Sequence, residues 1–290
     1  MRLEEGRIPF RGHETWYRSV GDGPGVPLLC LHGGPGSPHT GLELLEPLSD
    51  ERPVVLYDQL GSGNSSKPSD PSLWTVELFL AELENVREAL GLERVHLLGH
   101  SWGGMLAQEY ALTEPAGLVS LVLSSTLSSA VLWREESLRL RAALPEEVRT
   151  ALDRHEAAGT TDDPEYERAI FQFLHRHLCR IDPWPPAVEE MLRATNLEVY
   201  NTMWGPSEAN PTGILADWDV TPRLAEIRVP ALVLCGRHDE ATPRQAETIA
   251  AALPDAELVV FEESAHLAPL EETDRYLATV RAFLARVESI

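Results

Sequence analysis

Lysine is almost missing from this 290-residue chain: Lys67 is the only one, and the remaining basic charge is arginine. With 46 acidic residues against 24 basic ones the formal net charge is -22. Such a charge repels phosphate backbones and anionic lipid, and no local basic patch offsets it, so neither a nucleic-acid partner nor a membrane-surface role is expected. Cysteine is scarce and odd in number, and Cys30 and Cys235 sit inside apolar runs. Buried thiols are expected there and disulfides are not. No apolar run approaches the roughly 18 to 20 residues of a membrane span. Residues 1–10 alternate charged with apolar side chains instead of building a signal-peptide core, so a cytoplasmic location is the expectation. Spacings of the His-Glu-X-X-His kind are absent as well, and no metal or organic cofactor is expected.

What is present reads as an ordinary folded chain, 43% hydrophobic and 24% charged. Short apolar runs at 26–31, 53–57, 94–98, 118–123, 231–235 and 257–261 recur with helical patterns between them, at 75–90, 102–112 and 274–287. That alternation predicts an α/β fold with a mostly parallel central sheet flanked by helices. The strand signals stop after Leu127 and are replaced by leucine-spaced, charged stretches at 134–143, 146–158 and 165–179, interrupted by Pro183, Pro185 and Pro186. The expected organisation is a core at 1–127, an inserted helical cap at 128–222, and the rest of the core at 223–290.

The strongest local signal is Gly99-His100-Ser101-Trp102-Gly103-Gly104, which follows an apolar run and precedes a helical pattern. This strand-turn-helix placement of Gly-X-Ser-X-Gly resembles the nucleophile elbow of the α/β-hydrolase fold. The turn strains the serine backbone, the glycines remove side chains that would clash, and Ser101 comes to a helix N-terminus, where negative charge is favoured. A glycine-rich turn that happens to contain serine is the bland reading. Aspartate, which an epoxide or halide hydrolase would need, is not at the elbow.

A serine hydroxyl alone is a weak nucleophile, so an acid and a histidine should follow it in that order. The run at 231–235 leads into Gly236-Arg237-His238-Asp239-Glu240, and the run at 257–261 leads into Glu262-Glu263-Ser264-Ala265-His266. Asp239 and His266 thus stand at the C-terminal ends of the last two strands, the edge where open α/β sheets bind ligands. They are the candidate acid and base, with Glu240 open as the orienting acid instead. His100 and His238 neighbour key residues but are expected to point elsewhere. His175 and His177 fall in the cap, and Asp217 and Asp219 read as solvated or cap-anchoring.

His32-Gly33-Gly34-Pro35-Gly36, after the first parallel-strand run, reads as the second half of an oxyanion hole or as a plain strand-to-helix turn. The candidate N–H donors are Gly34 and Trp102, the residue after the nucleophile.

Taken together, His32 to Gly36, Asp58-Gln59-Leu60-Gly61-Ser62-Gly63-Asn64-Ser65, the elbow, Gly205-Pro206-Ser207-Glu208, and the two C-terminal segments resemble the proline iminopeptidase family. These are serine aminopeptidases of the α/β-hydrolase fold, related to amino-acid amidases. Leu60 stands where members often carry arginine, and Ser207 where asparagine is familiar. The resemblance implies removal of an N-terminal residue, preferably proline, from small peptides or amides, with Glu208 and Glu240 binding the free amine. A buried ammonium does need carboxylate partners. A solvated cap residue and a loop-stabilising charge are the bland readings of the two. Trp102 and the aromatics at 200–204 are the expected lining for the side chain, while Trp133 and Trp184 read equally as cap core. An esterase or small-acyl amidase with the same triad is the rival, followed by a non-catalytic ligand-binding protein.

Overall fold

The computed structural model describes residues 2–289. Its centre is an eight-stranded sheet in the order β1-β2-β4-β3-β5-β6-β7-β8. Six strands are parallel: β3 (Leu28–Leu31), β4 (Val54–Asp58), β5 (Val95–His100), β6 (Leu118–Ser124), β7 (Ala231–Gly236) and β8 (Ala256–Phe261). These are the six apolar runs. The hairpin β1 (Leu3–Phe10) and β2 (His13–Val20) joins antiparallel along β4 and was not expected from the sequence.

Alternation along each strand divides the core in two, because successive side chains leave a strand on opposite faces. Leu29, Leu31, Val55, Tyr57, Leu97, Leu121 and Val233 pack on α1 (Val76–Ala89), α2 (Trp102–Ala111) and α8 (Pro243–Ala252). Leu28, Cys30, Val54, Leu56, Leu98, Val122 and Leu232 face the 3-10 segment His39–Asp50 and the C-terminal helix. Helices therefore cover both faces, as a parallel sheet requires. Helix α1 starts where Thr75 Oγ1 accepts the Leu78 N–H at 3.2 Å, and it stops at Gly91, whose φ of +64° suits glycine.

Between β6 and β7 the chain leaves the sheet for five helices: α3 (Ala130–Ala142), α4 (Glu146–Ala158), α5 (Pro164–His177), α6 (Pro186–Ala194) and α7 (Leu197–Met203). One of these, α6, begins at Pro186, where prolines had read as interruptions. Leu144, Val148, Leu152, Tyr166 and Phe173 form a small apolar cluster of their own between α4 and α5. This helical layer is fastened over the C-terminal edge of the sheet at Asn196, by backbone and side chain. The Asn196 N–H donates to Gly36 O at 3.0 Å, and Asn196 Nδ2 donates to Gly61 O at 2.8 Å. The chain closes with α9 (Ala268–Glu271) and α10 (Thr273–Glu288). None of the helices among the described residues is long and apolar enough to cross a membrane. All three cysteines are buried and free.

Candidate active site

Ser101 sits between β5 and α2 with φ 55° and ψ -121°, a conformation that costs an L-residue about 1–3 kcal/mol and persists only when its surroundings impose it. Here they do. A side chain on Gly99 would strike the Gly103 carbonyl, and one on Gly103 would strike the Leu31 carbonyl, so the turn closes only on glycine. The Ser101 N–H donates to Ser124 O at 3.0 Å, and Thr126 Oγ1 donates to Ser101 O at 2.7 Å. The first N–H groups of α2, beginning with Trp102, have no intrahelical partner by the geometry of a helix start.

Across the sheet edge, His266 Nδ1 donates to Asp239 Oδ1 at 2.7 Å. A carboxylate can only accept, so this bond fixes a proton on Nδ1, and in the neutral ring the lone pair lies on Nε2. Asp239 is itself held by the Ala241 N–H at 2.7 Å on the same oxygen and by the Gly236 N–H at 3.4 Å on the other. Glu240 Oε1 stands 3.9 Å from Nδ1, too far for a hydrogen bond, so Asp239 and not Glu240 orients the ring. Burial lowers the His266 pKa, but Asp239 foremost, then Glu240 and Glu208, raise it to about 9.

Ser101, His266, Glu208 and Glu240 line one cavity of about 250 Å³, together with Gly33 and Gly34. Gly33 approaches so closely that a Cβ on it would lie 3.2 Å from Ser101 Cβ. The remaining walls are largely apolar and come from the cap, among them Ile170, Leu174, Met191 and Leu192. Burial raises the pKa of Glu208 and, still further, that of Glu240, whose Oε2 is buried without a hydrogen-bond partner. Glu208 is positioned from two sides. Tyr200 donates its hydroxyl to the carboxylate, and the indole N–H groups of Trp133 and Trp204 both donate to the Glu208 carbonyl, at 2.9 and 3.1 Å.

Some expectations need correction. The Trp102 indole does not face the cavity: it is buried against Phe79, and its Nε1 donates to Gln59 Oε1 at 2.8 Å. His100 does line the cavity, its ring centroid 4.8 Å from that of His266. Burial pushes its pKa far down, so it is a neutral wall. Trp133 belongs to the frame that holds Glu208. His175 and Trp184 stay in the cap, where Trp184 Nε1 donates to Cys179 O at 2.7 Å. Asp219 accepts the Thr221 N–H at 2.9 Å, a local turn contact.

Gln59 is the residue that reading the motif missed. Its backbone N–H donates to His32 Nε2 at 2.9 Å, its side-chain amide donates to His32 O at 3.2 Å, and its amide oxygen takes the Trp102 indole N–H. His32 Nδ1 in turn donates to Gly33 O at 2.9 Å. In a trans peptide the carbonyl and the next N–H point in opposite directions. Holding Gly33 O against the ring therefore turns the Gly34 N–H away from it. Away from the cavity, one cluster among the described residues has metal-ligand composition: His155, Asp163 and Glu165. A cation already occupies that place, for Arg154 pairs with Glu165 and lies 3.2 Å from His155 Nε2.

Residues 26–273 match the family model of the alpha/beta hydrolase fold. A proline iminopeptidase from Heyndrickxia coagulans is 42% identical over 282 residues, covering 97% of this chain and 98% of the relative. One from Lactobacillus helveticus is 43% identical over 290 residues, covering 98% of each. Among solved structures, the crystal structure of VinJ superposes with a TM-score of 0.95 at 42% identity, covering 98% of this chain and 99% of that one. The proline iminopeptidase of Mycobacterium smegmatis does so with a TM-score of 0.90 at 41% identity, covering 98% of each chain. The chain belongs to the alpha/beta hydrolase fold family and, within it, to the family of the proline iminopeptidases.

Proposed function

We propose that this protein is a serine aminopeptidase that releases an N-terminal residue, preferably proline, from small peptides or amino-acid amides. The observation that carries the reading is the composition of the cavity. It joins Ser101 and the Asp239-bound His266 to two buried carboxylates, Glu208 and Glu240, with no lysine or arginine in its lining. A nucleophile beside two carboxylates that lack a cation is a site built for a substrate carrying its own positive charge next to the scissile bond. The names of the relatives point to proline as the residue removed. Apolar cap walls suit a proline ring.

In this reading Ser101 Oγ attacks the carbonyl of the first residue while His266 Nε2 takes its proton. The N–H groups of Gly34 and Trp102 hold the oxyanion. His266 then gives the proton to the leaving amine, and a water activated by the same nitrogen hydrolyses the acyl-enzyme. No step needs a metal or an organic cofactor. The segment 128–222 acts as a cap that carries Glu208 and closes over the substrate, between core segments 1–127 and 223–290. The partner is a small peptide or amide, not a nucleic acid or a membrane, and the protein works in the cytoplasm.

The test is kcat/KM for prolyl p-nitroanilide against its N-acetylated form, in the parent and in Glu208→Gln. Cleavage of the free-amine form alone, lost in the variant, is expected. Equal rates on both forms would make the protein a general esterase or amidase instead.

A further inference from the structure

The groups around His266 raise a question of charge balance. From its own segment, Ala265 N–H and Ser264 Oγ bind Glu271 and Glu272 at 2.6 and 2.7 Å. The β7–α8 loop contributes Asp239 at 2.7 Å and Glu240 at 3.9 Å. The elbow contributes the neutral His100, and the cap contributes Glu208 with Tyr200, while His177 Nδ1 is spent on the His238 carbonyl at 2.8 Å. The guanidinium groups of this region face outward: Arg180 is exposed and turned onto Glu263 O at 2.7 Å, Arg237 pairs with Glu262 at 2.7 Å, and Arg176 is exposed. Carboxylates thus surround the imidazole, and among the cavity-lining residues only histidine can carry positive charge. Buried charge of one sign must be paired or neutralised by protons.

We infer, on the amine-binding reading above, that the substrate's ammonium is the trigger of catalysis as well as its anchor: in the empty site Glu208 and Glu240 hold a proton on His266, and the ammonium replaces that proton as their counterion. The step is a proton transfer only. As the ammonium enters, the Nε2 proton of His266 leaves to solvent, the net charge of the site is unchanged, and the neutral imidazole that remains can accept the Ser101 proton. Selectivity for free amines then resides in kcat and not in binding alone. A neutral ester, which brings no cation, meets a protonated base at neutral pH. The raised pKa of His266 agrees with this arrangement, and the upward shifts of Glu208 and Glu240, caused by burial and for Glu240 also by Glu208, are the same demand for positive charge felt by the carboxylates.

The experiment uses two substrates across pH. For p-nitrophenyl butyrate, the acid limb of kcat/KM reports the free enzyme; for prolyl p-nitroanilide, the acid limb of kcat reports the complex. The anilide limb is expected at least one unit below the ester limb. In Glu240→Gln and in Glu208→Gln/Glu240→Gln the ester limb moves down toward it, raising ester kcat/KM about tenfold per unit at pH values below both limbs. Labelling of Ser101 by a fluorophosphonate at pH 9.5 verifies a folded site in each variant, and the single variant serves if the double one does not fold. An ester limb that stays in place while anilide hydrolysis collapses overturns the trigger and leaves amine binding intact. An anilide KM and kcat untouched by both substitutions overturns the amine-binding reading itself.

Discussion

The His177 carbonyl oxygen accepts the backbone N–H of His266 at 3.1 Å, and it takes the Glu240 N–H at 3.2 Å as well. The last turn of α5 is thereby fastened to both loops that carry the candidate acid and base. One residue on, Leu178 O accepts the Leu267 N–H at 3.0 Å. These are end-of-helix carbonyls that have no partner inside α5, so the cap completes its own helix by binding the sheet edge. Cap position and ring orientation are consequently linked through backbone, without any side chain in the cavity.

Weakening that junction should show in turnover. The His177 side chain adds a bond from Nδ1 to His238 O at 2.8 Å. His177→Leu removes it and leaves a carbonyl unsatisfied, at a cost of about 1–3 kcal/mol. Several-fold lower kcat on anilide and ester alike is expected, with faster amide exchange at 236–241 and 264–268 by hydrogen-exchange mass spectrometry. Unchanged exchange there would mean that the cap does not hold the loops.

Gln59 should act on the transition state more than on binding. Gln59→Leu keeps the backbone N–H that meets His32 but strips the acceptor from the Trp102 indole and the donor from His32 O. Outright removal of an oxyanion donor costs on the order of 10² to 10³ in kcat. Loosening its support should cost about 10-fold to 100-fold, with KM for prolyl p-nitroanilide within about threefold of the parent. A change confined to KM would assign Gln59 to substrate binding instead.

Much of this was legible because the elements concerned obey local rules. Strands β3, β4, β5 and β7 are buried along their whole length and read as apolar runs, as strands covered on both faces must. The elbow announced itself through glycines whose absent side chains the backbone requires, and Asp239 and His266 through their place just after strands. The N-terminal hairpin escaped because β1 is an edge strand whose first three residues are exposed, so its pattern carries little hydrophobic signal. Helix α6 escaped because prolines read as breakers. Yet Pro186 opens the helix, where a missing N–H costs nothing. The inward turn of His100 and the outward turn of the Trp102 indole are set by tertiary packing, on which neighbouring positions in a motif are silent.

Ser101→Ala should abolish covalent chemistry while keeping the fold. Loss of a triad nucleophile reduces kcat on the order of 10⁶-fold in a serine peptidase. Both anilide and ester turnover should fall by at least about 10⁴, and fluorophosphonate labelling should vanish. Thermal unfolding should stay within a few degrees of the parent, since the bonds that hold Ser101 in place are made by its backbone. Persistent labelling would locate the reactive serine elsewhere.

Stability should fall as pH rises through the mildly acidic range because of one buried group that does not line the cavity. Glu82 is a buried residue of α1, where both its oxygens accept the Leu60 N–H at 3.0 Å and Oε1 accepts the Thr15 hydroxyl at 2.5 Å. Burial raises its pKa to about 7 against the lowering effect of those bonds. The unfolded chain releases this proton near pH 4.3, the ordinary glutamate value. Between these two values the folded state binds more protons than the unfolded one, so the free energy of unfolding declines with rising pH. The decline levels off once Glu82 is ionised in both states. A shift of this size corresponds to on the order of 4 kcal/mol, most of it lost above pH 5. Urea unfolding at pH 5, 6.5 and 8 should show that loss in the parent protein and a flatter profile in Glu82→Gln, which has no proton to release. Parallel profiles would mean that Glu82 is ionised in the folded state already at pH 5, with its hydrogen bonds outweighing its burial.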